Sequence, residues 1–176
     1  MKIFFGLGNP GKEYEGTRHN VGAGFIDYLV KKEGLKLKSK FNSEIADFKI
    51  GEEKIILVKT KTFMNNSGTA VLEVKNFYKA TPGQIYIAFD DLDIREGEHK
   101  IQFAKYPKIH NGVNDVIIKL HTDQIHFIRI GIDGRSGSEK NFISGTDYVL
   151  HKTNYNFNHV YAKIFLNLKQ KTETML

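Results

Sequence analysis

Apolar and polar positions alternate along the chain in a way that separates strands from helices. Lys2 to Leu7 is a short apolar run closed by Gly8-Asn9-Pro10-Gly11, the pattern of a buried strand running into a turn. From Val21 the period changes: Val21, Phe25, Leu29 and Val30 share one helical face. Glu44–Ile50 and Lys54–Thr60 alternate around Gly51-Glu52-Glu53, which predicts a hairpin. Ala70, Val71, Val74, Phe77 and Tyr78 mark a second helix, with Asn66 or Ser67 available as its cap, and Thr81-Pro82-Gly83 breaks it.

Ile85–Phe89 then reads as a central strand entering Asp90-Asp91-Leu92-Asp93, and Lys100–Phe103 as a further strand. Val113, Val116, Ile117 and Leu120 give a third helix, and His126–Ile132 another strand. The stretch Asp133–Gly145 is a Gly/Ser-rich loop, and Val160, Tyr161, Ile164, Phe165 and Leu168 make a closing helix. Strands interleaved with helices predict an α/β fold: a single three-layer domain over residues 1–176, with a mixed β-sheet flanked by helices.

That architecture has a chemical consequence. Ligands of open α/β sheets sit beyond the carboxyl ends of the strands, where the loops converge. Asn9 and His19 follow the first strand, Asn65 follows Ile55–Thr60, and Asp90 ends Ile85–Phe89. Asn111, preceding a helix, can reach the same rim. A polar site at one sheet edge is thus expected from element order alone.

Composition narrows the chemistry further. With 176 residues, 40% hydrophobic and 26% charged, the chain is outside the disordered and low-complexity classes. It has no cysteine, which excludes disulfides, zinc fingers, iron–sulfur ligation and thiol catalysis. The start turns polar at Gly8-Asn9-Pro10, too soon for a signal peptide. No run approaches the roughly 20 apolar residues of a membrane span, so a soluble, cytoplasmic protein is expected. The net charge of +6 favours phosphate backbones; of the cations only Arg18, Arg95, Arg129 and Arg135 are arginine, a balance suited to diffuse attraction.

Two nucleotide motifs can be set aside. Gly6-Leu7-Gly8-Asn9-Pro10-Gly11 fits a dinucleotide fingerprint, and Gly6 to Lys12 nearly fits a phosphate loop. Position 13 is Glu, where a magnesium-binding Ser or Thr is needed, and no helix opens at Gly11. No serine sits in a nucleophile elbow. What remains is His, Asp and carboxamides, a set suited to activating water directly. His19 is a candidate general base or a surface histidine. Asp90 either holds His19 in its tautomer, or joins Asp91 and Asp93 in a divalent-cation site, or belongs to an acidic turn. Asn9, Asn65 and Asn111 are donors for a substrate amide or an oxyanion, or turn and cap residues.

Taken together these segments resemble the bacterial-type peptidyl-tRNA hydrolase family. The resemblance is carried by Gly6-Leu7-Gly8-Asn9-Pro10-Gly11-Lys12-Glu13-Tyr14, Thr17-Arg18-His19-Asn20-Val21-Gly22 and Phe63-Met64-Asn65-Asn66-Ser67-Gly68. Asp90-Asp91-Leu92-Asp93, His110-Asn111-Gly112 and Arg129-Ile130-Gly131-Ile132 then follow in the expected order. The resemblance implies a monomer that hydrolyses the ester between a peptide and the tRNA 3′ end, recycling tRNA during translation without metal or cofactor. It implies that His19 activates water, that Asp90 supports it, and that Asn9 distinguishes N-blocked from free aminoacyl groups. Asn65 and Asn111 would hold substrate and water, Tyr14 and Phe63 would line the site, and Arg129 would meet a terminal phosphate. The implied partner is the acceptor stem and 3′ end of peptidyl-tRNA.

The chain departs from the family pattern in three places. Lys105-Tyr106-Pro107-Lys108-Ile109 replaces a glycine-rich lead into His110, Gln102 stands at one of two basic phosphate positions, and His151 replaces a glycine. The Lys-rich lead motivates a rival of another class, a non-catalytic RNA-binding relative like the plant organelle splicing factors that share the fold.

Overall fold

The computed structural model describes residues 1–106 and 109–173. The first apolar run forms β1 (Lys2–Gly6), which is buried because parallel neighbours cover both its edges: β4 (Glu53–Thr60) and β5 (Ile85–Arg95). The expected hairpin joins β3 (Ser43–Ile50) to β4, with Ile50 paired to Glu53 and Gly51 at φ 56°, the left-handed conformation a two-residue turn requires. β7 (His126–Asp133) runs parallel to β5, and β6 (His99–Phe103) closes that edge antiparallel. A short edge strand, β2 (Lys38–Lys40), completes a seven-stranded mixed sheet of order β2-β3-β4-β1-β5-β7-β6.

Side-chain alternation along the central strands feeds two cores. Phe4, Leu57, Tyr86, Ala88, Ile128 and Ile130 face α1 (Val21–Lys32) and α5 (Asn158–Glu173), meeting Phe25, Ile26, Val160 and Ile164. Ile3, Phe5, Val58, Ile87, Phe89 and Phe127 face α2 (Ser67–Tyr78) and α3 (Asn111–Leu120), meeting Val71, Val74, Val113 and Val116. The predicted three-layer arrangement of a mixed sheet between helices is therefore the observed one.

Three local expectations differ. Asp90 does not end its strand: β5 continues through the acidic run to Arg95, with an irregularity between Asp91 and Arg95. Both carboxylates are buried and partnered there, so the strand tolerates them. Neither Asn66 nor Ser67 caps α2 by side chain; instead Asp115 of α3 accepts from Gly68 N–H at 2.7 Å. Phe77 is half-exposed beside Phe41, while Ala70, Val71 and Val74 carry the core face. A short helix not expected from periodicity, α4 (Gly145–Leu150), follows the Gly/Ser-rich loop.

The start of α1 is held on the strand ends by backbone contact. Leu7 N–H donates to Ala88 O at 3.0 Å, and Ala23 N–H to Leu7 O at 2.9 Å. A Cβ on Gly22 would collide with the carbonyl of Ala88 and come within 2.9 Å of that of Leu7. Alanine normally gains about 1 kcal/mol over glycine within a helix. Gly22→Ala is expected to reverse that sign and lower stability by about 1–3 kcal/mol in urea unfolding, because backbone has to move. A stabilised variant would contradict this packing.

Candidate functional site

The ends of β1, β4 and β5 converge on a cleft of about 470 Å³. Asn9, Tyr14, His19, Phe63, Met64, Asn65 and Asn111 line it, and Thr146, Val149 and Leu150 of α4 add a wall. The elements place each group in turn. The turn after β1 brings Asn9, the loop entering α1 brings His19, and the turn after β4 brings Phe63 and Asn65. Asn111 is the first residue of α3, so its run with Gly112 opens a helix and is not a free turn.

Asp90 sits beneath the cleft, 2% exposed. Its Oδ1 accepts from His19 Nδ1 at 2.8 Å and from His110 Nε2 at 3.0 Å. Burial by itself raises the carboxyl's pKa. The attraction of His110 and His19, with their hydrogen bonds, outweighs it and holds Asp90 well below the ordinary carboxylate range.

The two imidazoles have opposite tautomers. His110 is the N-cap of α3, and its Nδ1 accepts from Val113 N–H at 3.1 Å, so the ring proton is on Nε2, facing Asp90. His19 donates to the same oxygen from Nδ1, so in the neutral ring the bare nitrogen is Nε2, on the ring edge opposite Asp90. A buried acceptor thus orients the His19 ring at the cleft.

The asparagines differ in how they are held. Asn9 Oδ1 accepts from Met64 N–H at 2.7 Å, so the amide presents Nδ2, a donor, to the cleft. Its backbone is fixed by Asn20, which accepts from Asn9 N–H at 2.8 Å and donates to Asn9 O at 2.9 Å. Asn65 and Asn111 are exposed on the cleft lining. Tyr14 and Phe63 meet edge to face at 6.2 Å on the rim, where Phe63 is 55% exposed.

Two sequence readings end differently. The carboxylates of Asp90, Asp91 and Asp93 do not converge on a cation: Asp90 faces the histidines, while Asp91 accepts from Arg129 and from Asp93 N–H. Among the described residues the metal-capable group is His19, Asp90 and His110, with ligand atoms within 4.8 Å of one another. Metal on His110 Nε2 would transfer the ring proton to Nδ1, against the Val113 N–H, so this set suits hydrogen bonding better. Arg129 does not line the cleft. It is buried, donating from Nε to Asp91 at 2.6 Å and from Nη1 to Gln102 at 2.9 Å. Lys100 and Lys105 nearby are exposed, whereas Pro107 and Lys108 of the Lys105–Ile109 departure lie outside the described residues.

His110 was legible only as part of a motif, because its role depends on the fold bringing it to Asp90. The α4 wall gave no periodic signal, being six residues long.

Residues 3–176 match the family described as peptidyl-tRNA hydrolase. The peptidyl-tRNA hydrolase of Alkaliphilus metalliredigens (strain QYMF) is 42% identical over 149 residues, 83% of this chain and 80% of its own. That of Thermoanaerobacter sp. (strain X514) is 44% identical over 133 residues, 75% of this chain and 72% of its own. Among solved structures, the crystal structure of peptidyl-tRNA hydrolase from Acinetobacter baumannii superposes with a TM-score of 0.82 at 33% identity. That superposition covers 99% of this chain and 91% of that one.

The depressed Asp90 carboxyl links stability to pH. Its folded value lies below its unfolded one, so its contribution is fully present above the ordinary carboxylate value of about 3.9 and is lost as pH falls from there. Wild-type unfolding free energy is expected to drop on acidification below about pH 4 by an increment absent from Asp90→Asn. At pH 7 that variant is expected to be about 1.5–3 kcal/mol less stable, having lost charge-assisted hydrogen bonds. Parallel pH–stability curves for the two proteins would contradict the assignment.

Proposed function

The chain belongs to the peptidyl-tRNA hydrolase family, hydrolases acting on the ester bond of peptidyl-tRNA, and we propose that His19 activates the water that cleaves this bond. The observation that carries the reading is the hydrogen bond from His19 Nδ1 to buried Asp90, which leaves Nε2 as the base.

Water bound in the cleft loses a proton to His19 Nε2 as its oxygen adds to the ester carbonyl. Asp90 stabilises the imidazolium that forms, across the 2.8 Å hydrogen bond. Collapse of the tetrahedral intermediate breaks the bond to the terminal ribose oxygen, which takes the proton back from His19. An alkoxide leaves more readily than an amide nitrogen, so a base and a few donors suffice. The Asn9 Nδ2 donor, oriented by Met64 N–H, meets the carbonyl of an N-blocked aminoacyl group, where a free ammonium would find no acceptor. Asn65 and Asn111 hold substrate and water, and such a donor is typically worth about 2.7–4 kcal/mol in the transition state. Tyr14 and Phe63 offer aromatic surface to the terminal nucleotide or the peptide.

The net charge of +6 serves the acceptor stem, with exposed Lys100 and Lys105 closer to hand than the neutralised Arg129. The reading is of a monomer acting as one domain over residues 1–176. The substrate arises in translation, which suits the cytoplasm. Among the described residues no helix is long and apolar enough to cross a membrane.

Release of labelled N-acetyl-amino acid from charged tRNA, with EDTA present, tests the reading. His19→Ala is expected to lose about 10²–10⁴-fold in turnover with an unchanged circular dichroism spectrum. Asp90→Asn is expected to lower kcat more than it raises KM. Wild-type turnover in a folded His19→Ala removes the assigned base. A folded wild type that binds RNA and hydrolyses nothing returns the protein to the non-catalytic alternative.

A further inference from the structure

One wall of the cleft belongs to α4, and a cluster outside the catalytic set holds it in place. Tyr148, in the middle of α4, is 6% exposed, and its neighbours Thr146, Val149 and Leu150 line the cleft. The guanidinium carbon of Arg18 lies 4.0 Å from the centre of the Tyr148 ring, and that of Arg135 lies 4.8 Å from it. Two cations on one largely buried ring make a strong contact, because the π face takes the place of water. Arg18 Nε is buried with no hydrogen-bond partner among the described residues.

The rest of each side chain ties a different segment to the same point. Arg18 Nη1 donates to Lys152 O at 3.1 Å, and Arg18 N–H to His151 O at 3.2 Å. Thr17 bridges Lys152, and Thr153 N–H donates to Gly16 O at 2.9 Å, so residues 16–18 and 151–153 run together. Tyr148 OH accepts from Gly134 N–H at 3.2 Å. Arg135 donates from Nε to Asp133 at 2.9 Å and from Nη1 to Ile143 O at 3.2 Å, which brings in the loop ahead of α4.

We propose that Arg18 and Tyr148 form a pin that fixes the α4 wall to the loop carrying His19 and thereby sets how tightly the cleft holds the acyl part of its substrate. Both are positioning residues: neither lines the cleft, and Arg18 adjoins the base in sequence while its side chain turns to α4. Loosening the pin moves Val149 and Leu150 and leaves the His19–Asp90 hydrogen bond in place, so affinity suffers before chemistry. The kinetic half of this inference rests on the proposed hydrolase reading; the structural half does not.

The experiment uses the full chain and three variants. Hydrogen exchange at the Val149 and Leu150 amides is expected to speed up about tenfold in Tyr148→Leu and Arg18→Gln, and to stay near wild type in Tyr148→Phe, which keeps the π face. With N-acetyl-aminoacyl-tRNA, the first two variants are expected to raise KM about tenfold, keep kcat within about threefold, and leave the pH profile unmoved. Should Tyr148→Leu fail to fold, Arg18→Gln leaves the core untouched and decides the matter. Unchanged exchange in Arg18→Gln, or a fall in kcat at constant KM, overturns the pin. A wild type without hydrolysis counts against the proposed function, and the exchange measurement still tests the pin.

Discussion

The first turn of α1 lies on the carbonyl ends of β1 and β5 at a distance only a glycine permits. Gly22 sits against Ala88 O, while Leu7 N–H and Ala23 N–H make the hydrogen bonds that fix the crossing. His19 stands three residues before that contact and Asp90 two residues after Ala88. The 2.8 Å separation of their side chains is thus set by backbone geometry. Gly68 does the same between α2 and α3, where a Cβ would collide with Asp115 O, so the turn bearing Asn65 stays beside the helix that starts at Asn111. Reactive groups from distant parts of the chain meet because small residues let the backbones close up.

A buried carboxylate within this frame is costly unless it is partnered. Asp90 has two partners, and their roles differ. His19 uses its bond to be oriented toward the cleft. His110, capping α3 through Nδ1, must donate from Nε2, so the cap fixes the direction of the hydrogen bond it gives. The low dielectric that makes an unpaired carboxylate expensive also strengthens its attraction for the imidazolium that the proposed hydrolysis forms on His19. The neighbouring carboxylate has another use: Asp91, facing the opposite side of β5, neutralises Arg129.

Much of this was legible in the sequence where periodicity runs long enough to be read. β1, the β3–β4 hairpin, β7 and the faces of α1 and α3 follow from spacing, and the polar rim follows from the order of strands. β2 and α4 were too short to give a period. The acidic run leaves three readings open in the sequence, and strand propensity disfavours Asp, but buried partners on both faces of β5 override that preference. The roles of His110 and of Met64 N–H depend on contacts across 20 and 55 residues, beyond any local pattern. The pairing of Arg129 with Asp91 depends on the register of β5 and β7, which no local pattern shows. The fold gathers Asn9, Tyr14, His19, Phe63, Asn65 and Asn111 on one cleft lining, joins Asp90 to His19 and leaves Arg129 off that lining, and none of these orientations is visible in a motif.

Long-range proton–nitrogen NMR of the imidazole rings measures that orientation most directly. In the neutral rings, His19 is expected to show its proton on Nδ1 with a bare Nε2, and His110 the reverse. Converting Asp90 to Asn should disturb both patterns, since one acceptor orders the two rings. A His19 protonated on Nε2 in the resting protein would contradict the assignment of that nitrogen as the base.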